Sequence, residues 1–227
     1  MGDFALVCEG VSDYAVVKNI LLGLFQGQAP RKPTINQIQP DVSPGAEQWQ
    51  EYGGWRQVVR YLETKLYRKA FQTNAFVVIQ IDTDISAECG LSPLPGDVSL
   101  VVQTFIAYLQ GIIGNADLQT YRDRFLFAIC VDQVECWILP LWFNDARAHK
   151  TTGCIGALGG CQPLRNALSA KNLPWIRPEE KNPQSYEEAS RDYRKRAVLL
   201  QRGPNNPSLK EFIDDVGSRA IVLTLDE

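Results

Sequence analysis

Residues 75–84 read AFVVIQIDTD, seven residues that are apolar save for one glutamine, followed by two aspartates two positions apart. A short, nearly continuous apolar run rich in Val and Ile is the pattern of a strand covered on both faces, as in a parallel sheet with helices above and below. Residues 125–131 (FLFAICV) repeat it and lead into Asp132 and Glu135. Residues 4–8 (FALVC) lead into Glu9 and Gly10, and residues 34–39 (TINQIQ) give a weaker fourth run. Between the runs the apolar spacing becomes helical. Residues 11–25 place Ala15, Val16, Ile20, Leu21 and Leu24 on one side, with Ser12 as the expected N-cap. Residues 55–71 read as one helix, residues 97–113 as another capped by Asp97, and residues 134–143 as a short apolar one. The alternation predicts an α/β fold: a doubly wound sheet of about four parallel strands flanked by helices, with right-handed crossovers.

Residues 1–143 form the expected core and residues 144–227 a helical C-terminal extension packed on it. In that extension, residues 151–160 (TTGCIGALGG) read as a glycine-rich loop without the G-K-[ST] ending of a phosphate-binding P-loop. Residues 185–201 read as one basic helix and residues 207–216 as a short one. Residues 26–51, rich in Gln and Pro, read as a substrate lid or a loose connection around the second strand.

The chain has 227 residues, 45% hydrophobic and 22% charged, with a net charge of −3. That charge argues against a protein held on nucleic acid by bulk electrostatics, but the average hides a gradient. Residues 1–143 carry 10 Lys and Arg against 15 Asp and Glu; residues 144–202 carry 11 against 6. An acidic front and a basic back suit a site that holds cations and receives phosphates beside them; a solvated basic helix is the plainer reading. The start, MGDFALVCEG, shows no basic and apolar leader, and no run approaches the length of a membrane span. The six cysteines lack C-x-x-C spacing and His149 is the only histidine, which argues against zinc. Cys8 and Cys130 are expected as buried free thiols, and the expected compartment is a reducing cytoplasm, away from membrane.

In a parallel sheet the strand carboxyl ends open on one edge, where ligands bind. Glu9 follows the first strand, Asp82 and Asp84 the third, Asp132 and Glu135 the fourth, and Asp13 lies one helical turn beyond Glu9. An extended backbone would point Asp82 and Asp84 the same way. Carboxylates packed together repel unless protons or a divalent cation neutralise them. An oxygen-only set favours Mg²⁺ or Mn²⁺ over zinc.

With these residues in place, a family resemblance emerges. Leu6-Val7-Cys8-Glu9-Gly10-Val11-Ser12-Asp13 resembles the first motif of the topoisomerase–primase (Toprim) fold, in the form found in the nuclease domains of the OLD family and their small single-domain relatives. Ile81-Asp82-Thr83-Asp84 resembles the second, D-x-D, motif, and Val131-Asp132-Gln133-Val134-Glu135-Cys136-Trp137-Ile138-Leu139 is similar to the acid-x-Trp segment of the small relatives. Gly53-Gly54-Trp55 and Asn206-Pro207-Ser208-Leu209 also fit them. The resemblance implies a Mg²⁺-dependent nuclease acting on DNA or RNA, in bacterial antiviral defence by analogy. Glu9 would act as general acid/base or ligand, Asp82 and Asp84 would hold the metal, and Asp13 and Glu135 would serve a second ion. Arg191, Arg194, Lys195 and Arg196 would carry phosphate contacts. Cleaving relatives also place a lysine near the metals; Lys150, Lys171 and Lys181 are the candidates. Energy-coupled control would need a partner protein, since no ATPase segment is present.

Two other readings remain open. D-x-D after an apolar strand also occurs in phosphatases of the haloacid dehalogenase type, where the first aspartate is a covalent nucleophile; there it sits on the first strand and continues into Gly-Thr, whereas here it is on the third and continues Ile85-Ser86. A Toprim scaffold acting as a binding subunit is the other, with Trp142, Phe143 and Trp175 as its partner surface.

Overall fold

The computed structural model describes residues 1–41 and 53–223; residues 42–51 of the expected lid over residues 26–51 lie outside them. Four strands, β1 (Gly2–Val7), β2 (Ile35–Gln39), β3 (Asn74–Asp82) and β4 (Phe125–Cys130), pair in parallel in the order β2-β1-β3-β4. The chain leaves β1 in one direction, through α1 (Val11–Leu24) to β2. It returns through α2 (Trp55–Glu63) and α3 (Tyr67–Thr73) to β3 on the other side of β1. α4 (Val98–Ile113) and α5 (Asn115–Tyr121) then lead to β4. The direction of winding therefore reverses between β1 and β3, the place where open α/β sheets form their ligand crevice.

The alternation of strand side chains divides the core into two layers. Phe4, Leu6, Val78, Leu126 and Ala128 pack with α1 and the C-terminal helices. Ala5, Val7, Val77, Ile79, Phe125, Phe127 and Ile129 pack with the helices α2 to α5. The C-terminal half adds α6 (Glu135–Trp142), α7 (Cys154–Gly159), α8 (Gln162–Ser169), α9 (Pro183–Ala189), α10 (Arg196–Arg202) and α11 (Pro207–Ser218). Tyr186, Tyr193, Leu199 and Phe212 share one apolar cluster with Phe4 and Ile20, so residues beyond 143 complete the α1 side of the core.

Several expected elements change form. The helix expected over residues 55–71 breaks between α2 and α3, where Lys65 adopts φ 56°. Ser12 is not the cap of α1: Gly10 holds that position, and the Ser12 hydroxyl donates to Asp13 Oδ2 at 3.3 Å. Asp97 caps α4 as expected, accepting from the Leu100 amide. The expected basic helix is α9, a 3₁₀ turn at Arg191–Arg194 and α10 in succession. The expected loop over residues 151–160 contains α7, tied to α6 by a Cys136–Cys154 disulfide. Cys8 and Cys130 are free and buried, matching expectation. No single helix among the described residues is long and apolar enough to cross a membrane.

Candidate metal centre at the carboxyl edge of the sheet

Glu9 leaves the end of β1 and reaches across to β3. Its Oε1 accepts from the Asp82 amide at 2.6 Å, and its own amide donates to Gln80 Oε1 at 3.0 Å. The Gln80 amide group also donates to Asp82 Oδ1 at 2.9 Å and lies 3.5 Å from Asp13 Oδ1. A fully buried glutamine inside the central strand is therefore the hub joining three acids from two chain segments. Sequence reasoning missed it, although it is the single polar residue in AFVVIQI.

Two glycines let the backbone close around this hub. A Cβ on Gly10 would lie 2.6 Å from Asp13 Oδ2, which explains why glycine follows Glu9. Gly53 adopts φ +95°, and a Cβ there would meet the Glu9 carbonyl at 2.5 Å; the neighbouring Gly54 amide donates to that carbonyl at 2.7 Å. The glycine pair before Trp55 thus seats the start of α2 against Glu9.

From the other side, Glu135 opens α6 and is fully buried. Its Oε1 accepts from the Tyr186 hydroxyl and pairs with Lys181 Nζ at 3.2 Å. Lys181 also feels Asp13 and Asp82: burial draws its ammonium pKa down, but the fields of Glu135, Asp13 and Asp82 outweigh that and hold it above the usual lysine value. Of the three lysine candidates, Lys181 is the one within the carboxylate group. Lys171 pairs with Glu188 instead. The Lys150 backbone is tied by its amide to the Arg147 carbonyl and by its carbonyl to Asn206 Nδ2 at 3.2 Å.

The other predicted residues are placed differently. β3 stops at Asp82, so the two-residue repeat does not carry on to Asp84. Asp82 is buried, whereas Asp84 is exposed on the rim and accepts from Gln133 Nε2 at 2.8 Å. Arg191 pairs with Glu188 at 3.5 Å and Lys195 with Asp192 at 2.8 Å. Arg194 bonds Glu187 and Asn19, and Arg196 the Leu24 carbonyl. Leu24 lies 11 residues beyond Asp13 on α1, about 16 Å along the helix axis. The basic group thus flanks the far half of α1 rather than the acids. Of the aromatics read as exposed, Phe143 is buried and Trp142 donates to the Ala189 carbonyl, while Trp175 is 39% exposed under the Arg165 guanidinium. Asn206-Pro207-Ser208 caps α11 and fixes it to the β4–α6 corner, where Ser208 Oγ accepts from Trp137 Nε1 at 2.8 Å.

The electrostatics follow from burial. Desolvation, with the fields of Asp13 and Asp84, pushes the Glu9 carboxyl up to about 8, against the Asp82 amide bond and Lys181, which pull it down. Burial and Glu135 push Asp13 up to about 6, against Lys181. Burial first, then Asp13 and Glu9, drive Asp82 well above the carboxylate range. Glu9 and Asp82 therefore hold protons at neutral pH unless more positive charge arrives, whereas Asp13 gives its proton up just below neutrality.

Glu135 Oε2 is buried and has no hydrogen-bond partner. An orphaned carboxylate oxygen among acids, in an all-oxygen donor set, fits a hard divalent cation. No three of these carboxylates, among the described residues, bring oxygens within 4.8 Å of one another. They are not gathered into a closed cage, so an ion held among them would take one or two carboxylates and keep several waters, as Mg²⁺ can. Comparison of the chain with family models, curated proteins and solved structures returns no match.

Proposed function

We propose that the chain is a Mg²⁺-dependent nuclease with a Toprim-like core, cutting DNA or RNA at the carboxyl edge of its sheet. The observation that carries the reading is the convergence of Glu9, Asp13, Asp82 and Glu135 from three strand ends, with the Glu135 oxygen left unpartnered and Lys181 beside them. Glu9, Asp82 and the rim residue Asp84 would hold one ion, Asp13 and Glu135 a second. Bound Mg²⁺ supplies Lewis-acid stabilisation of a phosphate oxygen and an activated water. The protein's own groups do the rest. Glu9, with an oxygen fixed by the Asp82 amide, would either accept and return a proton or serve as a ligand. Lys181, permanently charged, offers a donor to a phosphate oxygen once it leaves Glu135. Gln80 keeps Glu9, Asp13 and Asp82 in register with one another. Defence against phage and activation by a partner protein are part of this reading by family analogy.

The test is Mg²⁺-dependent cleavage of plasmid DNA and a structured RNA by the wild type and by Glu9→Gln and Asp82→Asn. The reading expects cleavage by the wild type and a loss of at least about a hundredfold in both variants, the range of a lost acid–base group. Undiminished cleavage in both folded variants would refute it.

One observation favours a second reading. Lys181 already supplies a positive charge to the ring, which would let the acids persist in a scaffold that binds a partner protein without cutting. Capture of a stoichiometric partner by protein that takes up no Mg²⁺ would select that reading.

A further inference from the structure

Beside the carboxylate ring, a second group has different chemistry. Asp132, Cys136 and Cys154 each bring one ligand atom, and all three lie within 4.8 Å of one another. Asp132 is fixed at both ends: its amide donates to Thr83 Oγ1 at 2.9 Å, and its Oδ2 accepts from the Gly153 amide at 2.9 Å. It stands at φ +64°, a left-handed conformation that aspartate tolerates better than most residues. Its carboxylate is thereby turned toward Cys136 Sγ, 4.0 Å away. Both cysteines are fully buried, and the Lys150 carbonyl lies 3.7 Å from Cys154 Sγ. Oxidised, the sulfurs form a disulfide joining α6 to α7. Reduced, the same positions present two thiols and a carboxylate at one spot.

We propose that, when the cysteines are reduced, Asp132, Cys136 and Cys154 form a binding site for a thiophilic divalent cation of the Zn²⁺ class, distinct from the hard-cation ring. Two thiolates and one carboxylate suit Zn²⁺ and not Mg²⁺. Three protein ligands leave a fourth position for water or the Lys150 carbonyl. The cysteines are 18 residues apart, which hides the site from any search for C-x-x-C spacing. Cys136 directly follows Glu135, so metal or disulfide does the same mechanical work: each ties the helix bearing Glu135 to α7. Binding displaces two thiol protons. The inference does not depend on nuclease activity.

The experiment uses full-length protein reduced with a water-soluble phosphine. Phosphine, disulfide and water give phosphine oxide and two thiols, and phosphine leaves no thiol to compete for metal. Co²⁺ is then titrated without oxygen. The proposal expects one equivalent to produce a thiolate-to-cobalt charge-transfer band with intense tetrahedral d–d bands, bleached by Zn²⁺ and absent from unreduced protein. Cys136→Ser and Cys154→Ser should each lose the band. Asp132→Asn, which leaves both sulfurs in place, should weaken binding roughly tenfold or more. Cys89→Ser, which removes the half-exposed thiol elsewhere, should change nothing. Far-UV circular dichroism checks that each variant is folded. Reduced wild type that shows only the weak spectrum of octahedral Co²⁺ would overturn the proposal. So would a band that survives in Asp132→Asn at full affinity and moves instead with Cys89→Ser.

Discussion

Replacing Lys181 by methionine removes the ammonium from the carboxylate ring while keeping most of its stem. Nζ lies 3.2 Å from Glu135 Oε1. At an effective dielectric of about 20 a unit pair at that distance attracts by ~5 kcal/mol. The Lys181 side chain is 37% exposed, so solvent screens part of that, and a coupling of about 2 kcal/mol is expected. The assay is urea unfolding in EDTA of wild type, Lys181→Met, Glu135→Gln and the double variant, at pH 5.5 and pH 8. Lysine is charged at both, so its own titration drops out; its raised pKa matters only near pH 10 and above. Without Lys181, Glu9, Asp13 and Asp82 bind protons more tightly in the folded state, and a folded state that holds extra protons loses stability as pH rises. The deficit of Lys181→Met should therefore be larger at pH 8 than at pH 5.5. A coupling below about 0.5 kcal/mol at pH 8 would show that Lys181 is not electrostatically part of the ring.

Burial and close packing elsewhere in the molecule lead to three further outcomes. In EDTA, Tm should fall from pH 5 to pH 8.5, because Glu9 at about 8 and Asp13 at about 6 take up protons on folding, opposite in sign to ordinary paired carboxylates; Mg²⁺ should flatten that fall, and a metal-free Tm that rises with pH would contradict the burial of these acids. Gly23→Ala should destabilise by about 3 kcal/mol in chemical unfolding, since its Cβ would lie 1.8 Å from the Tyr193 carbonyl, whereas Gly156→Ala, with open space around it, should be neutral or slightly stabilising. Asp117→Asn should lower Tm by a few degrees at pH 7 and by nothing below about pH 2: burial alone would raise that carboxyl, but Tyr67, Arg68 and Lys65 bind its charged form and hold it near 2, so its contribution is present above the usual carboxylate pKa and lost as pH falls toward 2.

Much of this architecture was legible because parallel strands buried on both faces leave nearly unbroken apolar runs, and the three such runs, at β1, β3 and β4, lead directly into acids. The order β2-β1-β3-β4 was not legible, since right-handed crossovers are compatible with several orders of four parallel strands. What was not legible depended on contacts across the chain. Nothing local distinguishes Lys181 from Lys150 or Lys171; it reaches Glu135 from the turn before α9, whose start is set by the Asn182 cap. Gln80 looked like an interruption in a strand and is the hub of the site. Residues 185–201 looked like one basic surface because charges were counted without their neighbours. Glu187, Glu188 and Asp192 lie in the same stretch and pair with Arg194, Arg191 and Lys195. The break between α2 and α3 at Lys65 needed a left-handed residue that composition does not announce. The disulfide needed two elements to meet that sequence separation kept apart.

The proposed function requires the group of Glu9, Asp13, Asp82 and Glu135 to bind a hard divalent cation. Isothermal titration of Mg²⁺, and separately Mn²⁺, into metal-free protein at pH 8 tests it most directly, with Glu9→Gln and Asp82→Asn alongside. Saturable binding by the wild type, proton release on binding, and loss of that heat in both folded variants are expected. Wild-type protein that takes up neither ion would contradict it.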